Sequence, residues 1–143
     1  MKTSSKFVYR GDDYYISGSI GEPLDQADQT KRAQEAVFHI RNSRSKTKRY
    51  TSFTLSKVIA GKFTKRRRIR KVAWVVLKKL ESEGRIRILT PDDTYNLIKS
   101  NGNKRISRLA HDMKMIMEKN REILIEGEIP VFYENKQIIL PVQ

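Results

Sequence analysis

The chain has 143 residues, with 30 Lys plus Arg against 16 Asp plus Glu and a formal charge of +14, an excess that points to an anionic partner. Its length suits one domain that needs no disulfide or metal staple. The absence of cysteine excludes disulfide frameworks, thiolate zinc sites and cysteine nucleophiles, and agrees with a reducing compartment. No apolar run reaches the roughly 20 residues of a membrane span and the first residues hold no secretory hydrophobic stretch, so a cytoplasmic or nucleoid-associated protein is expected, not a secreted one.

Phe7-Val8-Tyr9 and Tyr14-Tyr15-Ile16 flank Arg10-Gly11-Asp12-Asp13, which predicts an N-terminal hairpin within residues 1–21. Beyond Gly21 and Pro23, a helix is predicted over residues 25–40, with Ala33, Ala36, Val37 and Ile40 on one face. Residues 42–49 read as a polar loop. A short helix over residues 54–60 carries Leu55, Val58 and Ile59 at helical spacing and ends at Gly61. The strongest periodicity follows, where Ile69, Val72, Ala73, Val76, Leu77 and Leu80 form an apolar stripe that predicts a helix over residues 67–83, capped by Gly84. Residues 85–89 alternate like a half-buried strand, residues 90–94 read as a turn, and residues 95–98 read as a returning strand. After Asn101-Gly102-Asn103, a helix over residues 104–120 places Ile106, Leu109, Ala110, Met113, Ile116 and Met117 on one face, with the methionines as core filler. Residues 123–125 and a hairpin of residues 131–133 against 137–140, bounded by Pro130 and Pro141, complete the chain.

The charge excess is local. Residues 41–71 contain thirteen Lys or Arg and no Asp or Glu, whereas the remainder is nearly balanced. A nucleic acid suits such a block, because each neutralised phosphate releases condensed counterions. The apolar residues spaced regularly through it argue for a folded segment and against a disordered basic tail.

Over residues 25–98 the expected order is helix, short helix, long amphipathic helix, glycine, strand, acidic turn, strand. With Thr54-Leu55-Ser56-Lys57-Val58-Ile59-Ala60 and Val72-Ala73-Trp74-Val75-Val76-Leu77-Lys78-Lys79-Leu80-Glu81-Ser82-Glu83-Gly84-Arg85-Ile86, it resembles a winged helix-turn-helix domain of the nucleic-acid-binding superfamily. The segment is more weakly similar to a family of small-subunit ribosomal proteins that shares this fold. The resemblance implies an α+β fold with a winged-helix core at residues 22–100, a hairpin before it, and a helix plus hairpin at residues 101–143, all in one compact domain.

Packing the apolar stripe inward turns Arg67, Lys71 and Lys78 outward, with Trp74 at the edge of that face. A basic ridge on a helix suits the major groove, where Arg grips guanine bidentately and Lys contacts phosphate. The expected contact residues are Arg44, Lys46, Lys48, Arg49, Lys57, Lys62, Lys65, Arg66, Arg67, Arg68, Arg70, Lys71, Trp74 and Lys78. Among them Arg66, Arg67 and Arg68 enter the groove, while Lys46, Lys48 and Arg49 hold the backbone. Trp74 stacks on nucleic acid or is buried by the chain itself, and burial is the commoner fate. Tyr9, Tyr14 and Tyr15 form a stacking platform or simply pack across the hairpin. The Asp92-Asp93 pair would repel phosphates, so the wing is expected to point away from DNA.

Catalytic signals are sparse. His39 and His111 lack partners at metal-ligand spacing, Asp12-Asp13 and Asp92-Asp93 sit in predicted turns, and no glycine-rich phosphate loop occurs. The expectation is a non-enzymatic protein without cofactor or metal that binds double-stranded DNA as a transcriptional regulator or architectural factor. The alternative is an RNA-binding structural protein such as a ribosomal one. A third reading is an interaction module that forms a homodimer or larger assembly through its terminal hairpins.

Overall fold

The computed structural model describes residues 6–11, 18–41, 49–64, 69–134 and 137–139. These form, in chain order, β1 (Phe7–Gly11), β2 (Gly18–Ile20), α1 (Gln29–Arg41), β3 (Tyr50–Thr54), α2 (Lys57–Gly61), β4 (Ile69–Ala73), α3 (Trp74–Ser82), β5 (Ile86–Leu89), α4 (Pro91–Asn101), α5 (Lys104–Ser107), α6 (Ala110–Lys119), β6 (Glu122–Gly127), β7 (Ile129–Glu134) and β8 (Gln137–Ile139). Five strands make an antiparallel sheet in the order β4-β1-β3-β6-β5, and β2-β7-β8 make a second antiparallel sheet.

Strand alternation divides the core in two. Val8, Phe53, Val72, Ile86, Ile123 and Ile125 point to one face, where Leu77 and Leu80 of α3 and Ile20 and Ile129 of the second sheet join them. Tyr50, Leu89 and Leu124 point to the other face and pack against Ala33 and Val37 of α1, Leu97 and Ile98 of α4, Ile106 of α5, and Met113 and Met117 of α6. The α+β class is therefore as expected, as are α1 to within a few residues, the core role of Met113 and Met117, and the β7–β8 hairpin with Tyr133 opposite Ile138, whereas Met115 and Ile116 of the same helix as those methionines are exposed.

Several expected elements differ. The helix expected over residues 67–83 begins only at Trp74, and Ile69–Ala73 is strand β4, paired with β1 from Phe7↔Ala73 to Gly11↔Ile69. The amide of Trp74 donates to the carbonyl of Lys6 (2.9 Å), a last bond to the segment entering β1 at the residue where the helix starts. Val72 and Leu77 serve the same core cluster from two different elements, so an unbroken helical stripe hid a strand edge. Gly84 does end α3: its φ is +73°, and the amide of Arg85 returns to the carbonyl of Leu80 (3.0 Å).

No returning wing strand occupies residues 95–98, which lie within α4. Thr90-Pro91-Asp92-Asp93 is not a turn but a helix start: the Thr90 hydroxyl accepts from the Asp93 amide, the Asp93 carboxylate accepts from the Thr90 amide (both 3.1 Å), and Pro91 opens the first turn. The helix expected over residues 104–120 is broken at Arg108 and Leu109 into α5 and α6. The short helix starts at Lys57, after Ser56 as N-cap, because Thr54 belongs to β3. The second strand of the expected N-terminal hairpin, Tyr14-Tyr15-Ile16, lies outside the described residues; among the described residues β1 pairs with β3 and β4, and β2 pairs with β7.

A buried ionic cluster joins the layers. Glu126 of β6 is 1% exposed and accepts from Nε (3.0 Å) and Nη2 (2.6 Å) of Arg32 on α1, from Arg49 beside β3 (3.4 Å), and from Arg87 of β5 (3.2 Å). Arg49 also pairs with Glu35 and forks onto Asp25 (2.6 and 2.8 Å), whose carboxyl it holds well below the usual carboxylate range. Replacing Glu126 by Gln keeps the shape but removes the charge the guanidiniums surround, and should cost about 3–5 kcal/mol in urea unfolding. Arg87→Ala, at the exposed rim of the cluster, should cost only about 0–1 kcal/mol.

Candidate nucleic-acid interface

The structure separates the fourteen expected contact residues into distinct environments. Arg44, Lys46, Lys48, Lys65, Arg66, Arg67 and Arg68 lie outside the described residues. Arg49 is buried in the Glu126 cluster and cannot also hold a phosphate backbone. Arg70 is 0% exposed and stands opposite Arg10 in the β1–β4 ladder, on the face of the sheet covered by α3 and the second sheet. Both were expected on an outward face of a helix or loop; strand pairing and ion pairing turn them inward.

The others reach solvent. Lys57 and Lys62 lie exposed at the two ends of α2, and Lys78 is exposed on α3. Lys71 is half-buried, with its Nζ 4.5 Å from the centre of the Phe7 ring. Trp74 is half-buried against the core, its indole N–H buried without a hydrogen-bond partner, with Lys78 Nζ 5.8 Å from the ring centre. It forms one wall of a groove of about 840 Å³ that also passes Pro91, Arg121 and Ile123. Asp92, expected at a wing tip, sits instead in the first turn of α4 and pairs with Lys114 (2.8 Å).

The elements bearing these lysines are neighbours. β4 lies beside β1, and α2 packs against both. Close approach is built in at Gly11, where a Cβ would stand 2.2 Å from the backbone oxygen of Ala60. Residues 6–11, 56–64 and 69–80 contain no Asp or Glu, and acids meet this flank from outside those segments: Glu81 pairs with Lys78 (3.6 Å), and Asp92, Glu118 and Glu122 line the groove beside Trp74.

Beside it, between β1, β3, α1, α6 and the end of α2, opens a cleft of about 370 Å³. At its floor the Ser52 hydroxyl donates to Glu122 (2.6 Å), and His39 Nε2 lies 2.7 Å from the same hydroxyl oxygen. With the serine proton committed to the carboxylate, the imidazole N–H donates to serine. This order is not that of a nucleophilic triad, in which the imidazole takes the serine proton and the carboxylate orients the imidazole. Tyr9 and Phe63 line the cleft, and Phe63 is 62% exposed. Sequence reasoning missed His39, Ser52 and Phe63 as site residues. The available signals were the β-prone run Tyr50–Thr54 and an aromatic residue placed between Lys62 and Thr64, outside any apolar period. Among the described residues, no group of three or more His, Cys, Asp or Glu could hold a metal ion, and no helix is long and apolar enough to cross a membrane.

Burial, and then the charge of Arg10, push the His39 imidazole down to about 4. Burial pushes the Glu122 carboxyl up, against the Ser52 hydrogen bond. The two act with opposite sign. A depressed imidazole contributes stability that is complete above its ordinary value of 6.5 and is lost as the pH falls toward 4. A raised carboxyl loses its contribution as the pH rises past its ordinary 4.5, and Asp25 loses its own only below 3.8. In a Glu122→Gln background, stability from urea unfolding should therefore decline as the pH is lowered from 6.5 to 4, and adding His39→Gln should flatten the profile. A flat profile before His39 is changed would show that the imidazole is not held neutral by burial. Compared with known proteins, the chain matches no family model, no curated protein and no solved structure.

Proposed function

We propose that the protein binds nucleic acid without catalysing a reaction, and that its contact surface is the basic flank formed by β1, α2, β4 and the start of α3. The observation that carries this reading is the acid-free composition of three segments that adjoin in the fold, residues 6–11, 56–64 and 69–80, in which Lys6, Lys57, Lys62, Lys78 and Lys79 are exposed and Lys71 is half-exposed. A globular surface that only needs solubility mixes its charges. A patch of one sign gains from a polyanion through counterion release and favours it over small anions.

Duplex DNA, bound by a winged-helix regulator or architectural factor, is the first reading; the order α1, β3, α2, β4, α3, β5 keeps three helices in sequence before a strand, with β3 and β4 between them. The major-groove contact expected of a helix starting at Arg67 is not part of this proposal. The first turn of α3 is Trp74-Val75-Val76-Leu77, so the helix offers Lys78 and Lys79 to phosphates and no arginine to base edges. RNA is the second reading, as in a structural protein of a larger assembly, and the aromatic cleft beside the basic flank favours it.

Titrating labelled duplex DNA, duplex RNA and single strands across salt concentrations tests the proposal. Affinity should fall steeply with salt, and each of Lys57→Ala, Lys62→Ala and Lys78→Ala should make the log–log slope shallower by about 0.7–0.9 without lowering the melting temperature. Absence of binding to all of them at about 50 mM salt would remove the reading.

A further inference from the structure

The phosphate surface does not need the cleft beside it. An exposed aromatic side chain is by itself ordinary, but Phe63 stands at the cleft together with Tyr9, over a floor that is polar. The floor offers hydrogen-bonding atoms of both kinds: the His39–Ser52–Glu122 chain has donors and acceptors within one line of short bonds, and Asn120 adds an amide. A volume of about 370 Å³ is at the lower end of small-molecule sites and suits a single planar heterocycle with its sugar. Electrostatics sorts what can enter. The lysines outside attract phosphate, whereas the Glu122 carboxylate at the floor disfavours a second anion and accepts hydrogen bonds from a neutral polar edge.

We propose that this cleft takes one unpaired nucleobase of a single-stranded nucleic acid, stacked on Phe63 and Tyr9 with its polar edge toward His39, Ser52 and Glu122, while the phosphates of the strand stay on the surrounding lysines. An aromatic face for stacking and mixed donors and acceptors for the base edge are the two components by which proteins read unpaired bases. The inference rests on the nucleic-acid reading above and adds the part of the ligand that is recognised. It also divides labour between residues: lysines set affinity for any strand, and the cleft sets preference among bases.

The test uses the full chain and labelled DNA and RNA homopolymer strands, each with and without a run of abasic positions. Phe63→Ala should weaken single-strand binding about 5- to 100-fold while leaving the salt slope and duplex affinity unchanged. Abasic strands should bind the parent as weakly as intact strands bind the variant. Phe63→Trp, which preserves a stacking face, should retain affinity, and Ser52→Ala should change the ranking of the homopolymers. Circular dichroism of Phe63→Ala should match the parent, since the ring is mostly outside the core. If intact and abasic strands bind equally and Phe63→Ala changes nothing, the cleft does not hold a base even though the basic surface binds nucleic acid. Binding of duplex alone would overturn the inference in the same way, and absence of all binding would remove both readings together.

Discussion

A carboxylate with almost no exposure, surrounded by guanidiniums from three elements, constrains this molecule more than any other single contact. Glu126 takes hydrogen bonds or ion pairs from Arg32, Arg49 and Arg87, and Arg49 in turn takes Asp25 and Glu35. Three cations meet three anions, so the cluster is neutral, which is the condition under which buried charge is tolerated. It joins α1 to three adjacent strands, β3, β6 and β5, and draws in the segment ahead of α1. The hydroxyl of Tyr50 adds a bond to the carbonyl of Arg32 (2.8 Å). With the first turn of α1 held there, His39, two turns further along the same face, comes to rest over Ser52. The floor of the cleft thus depends on a salt-bridge cluster at the opposite end of the helix.

The same cluster changes what the charge of the chain means. An excess of +14 suggests a uniformly available store of cations, but arginines and lysines are used differently. Arg32, Arg49 and Arg70 are buried, and the first two act as multidentate structural groups, a role that the planar guanidinium suits. Apart from Arg41 at the end of α1, the basic groups that reach solvent in the described part of the basic block are lysines: Lys57, Lys62 and the half-exposed Lys71. Lysine contacts phosphate as a point charge and reads little. Under the proposed nucleic-acid reading, discrimination would have to come from elsewhere, and the neighbouring aromatic and polar cleft is where the fold offers it.

Several features are readable directly from the residues: the α+β class, the core face of α1, the glycine stop at Gly84, the filler role of Met113 and Met117, and the C-terminal hairpin. Each rests on a local property, whether apolar spacing, a left-handed glycine or turn residues between β-prone runs. The start of α4 is equally local but ambiguous in kind, since Thr90-Pro91-Asp92-Asp93 suits a turn by composition and carries the reciprocal capping pair and N-terminal proline of a helix. Strand β3 has only a weak local signal, the β-favouring aromatic and hydroxyl-bearing residues of Tyr50–Thr54 without a period-2 alternation.

What the sequence by itself determined is the sign, size and confinement of the charge, along with the elements whose signals are complete within a few residues. Only the tertiary structure decided that Ile69–Ala73 is a strand, because its partner β1 lies some sixty residues earlier and pairing energy overrides a helical period. Only it decided that Arg49 and Arg70 face inward, because the carboxylates and strands that make such burial tolerable are distant in the chain. The cleft is of the same kind. His39, Ser52, Phe63 and Glu122 come from four separate elements or turns, and only the folded sheet brings them to one place.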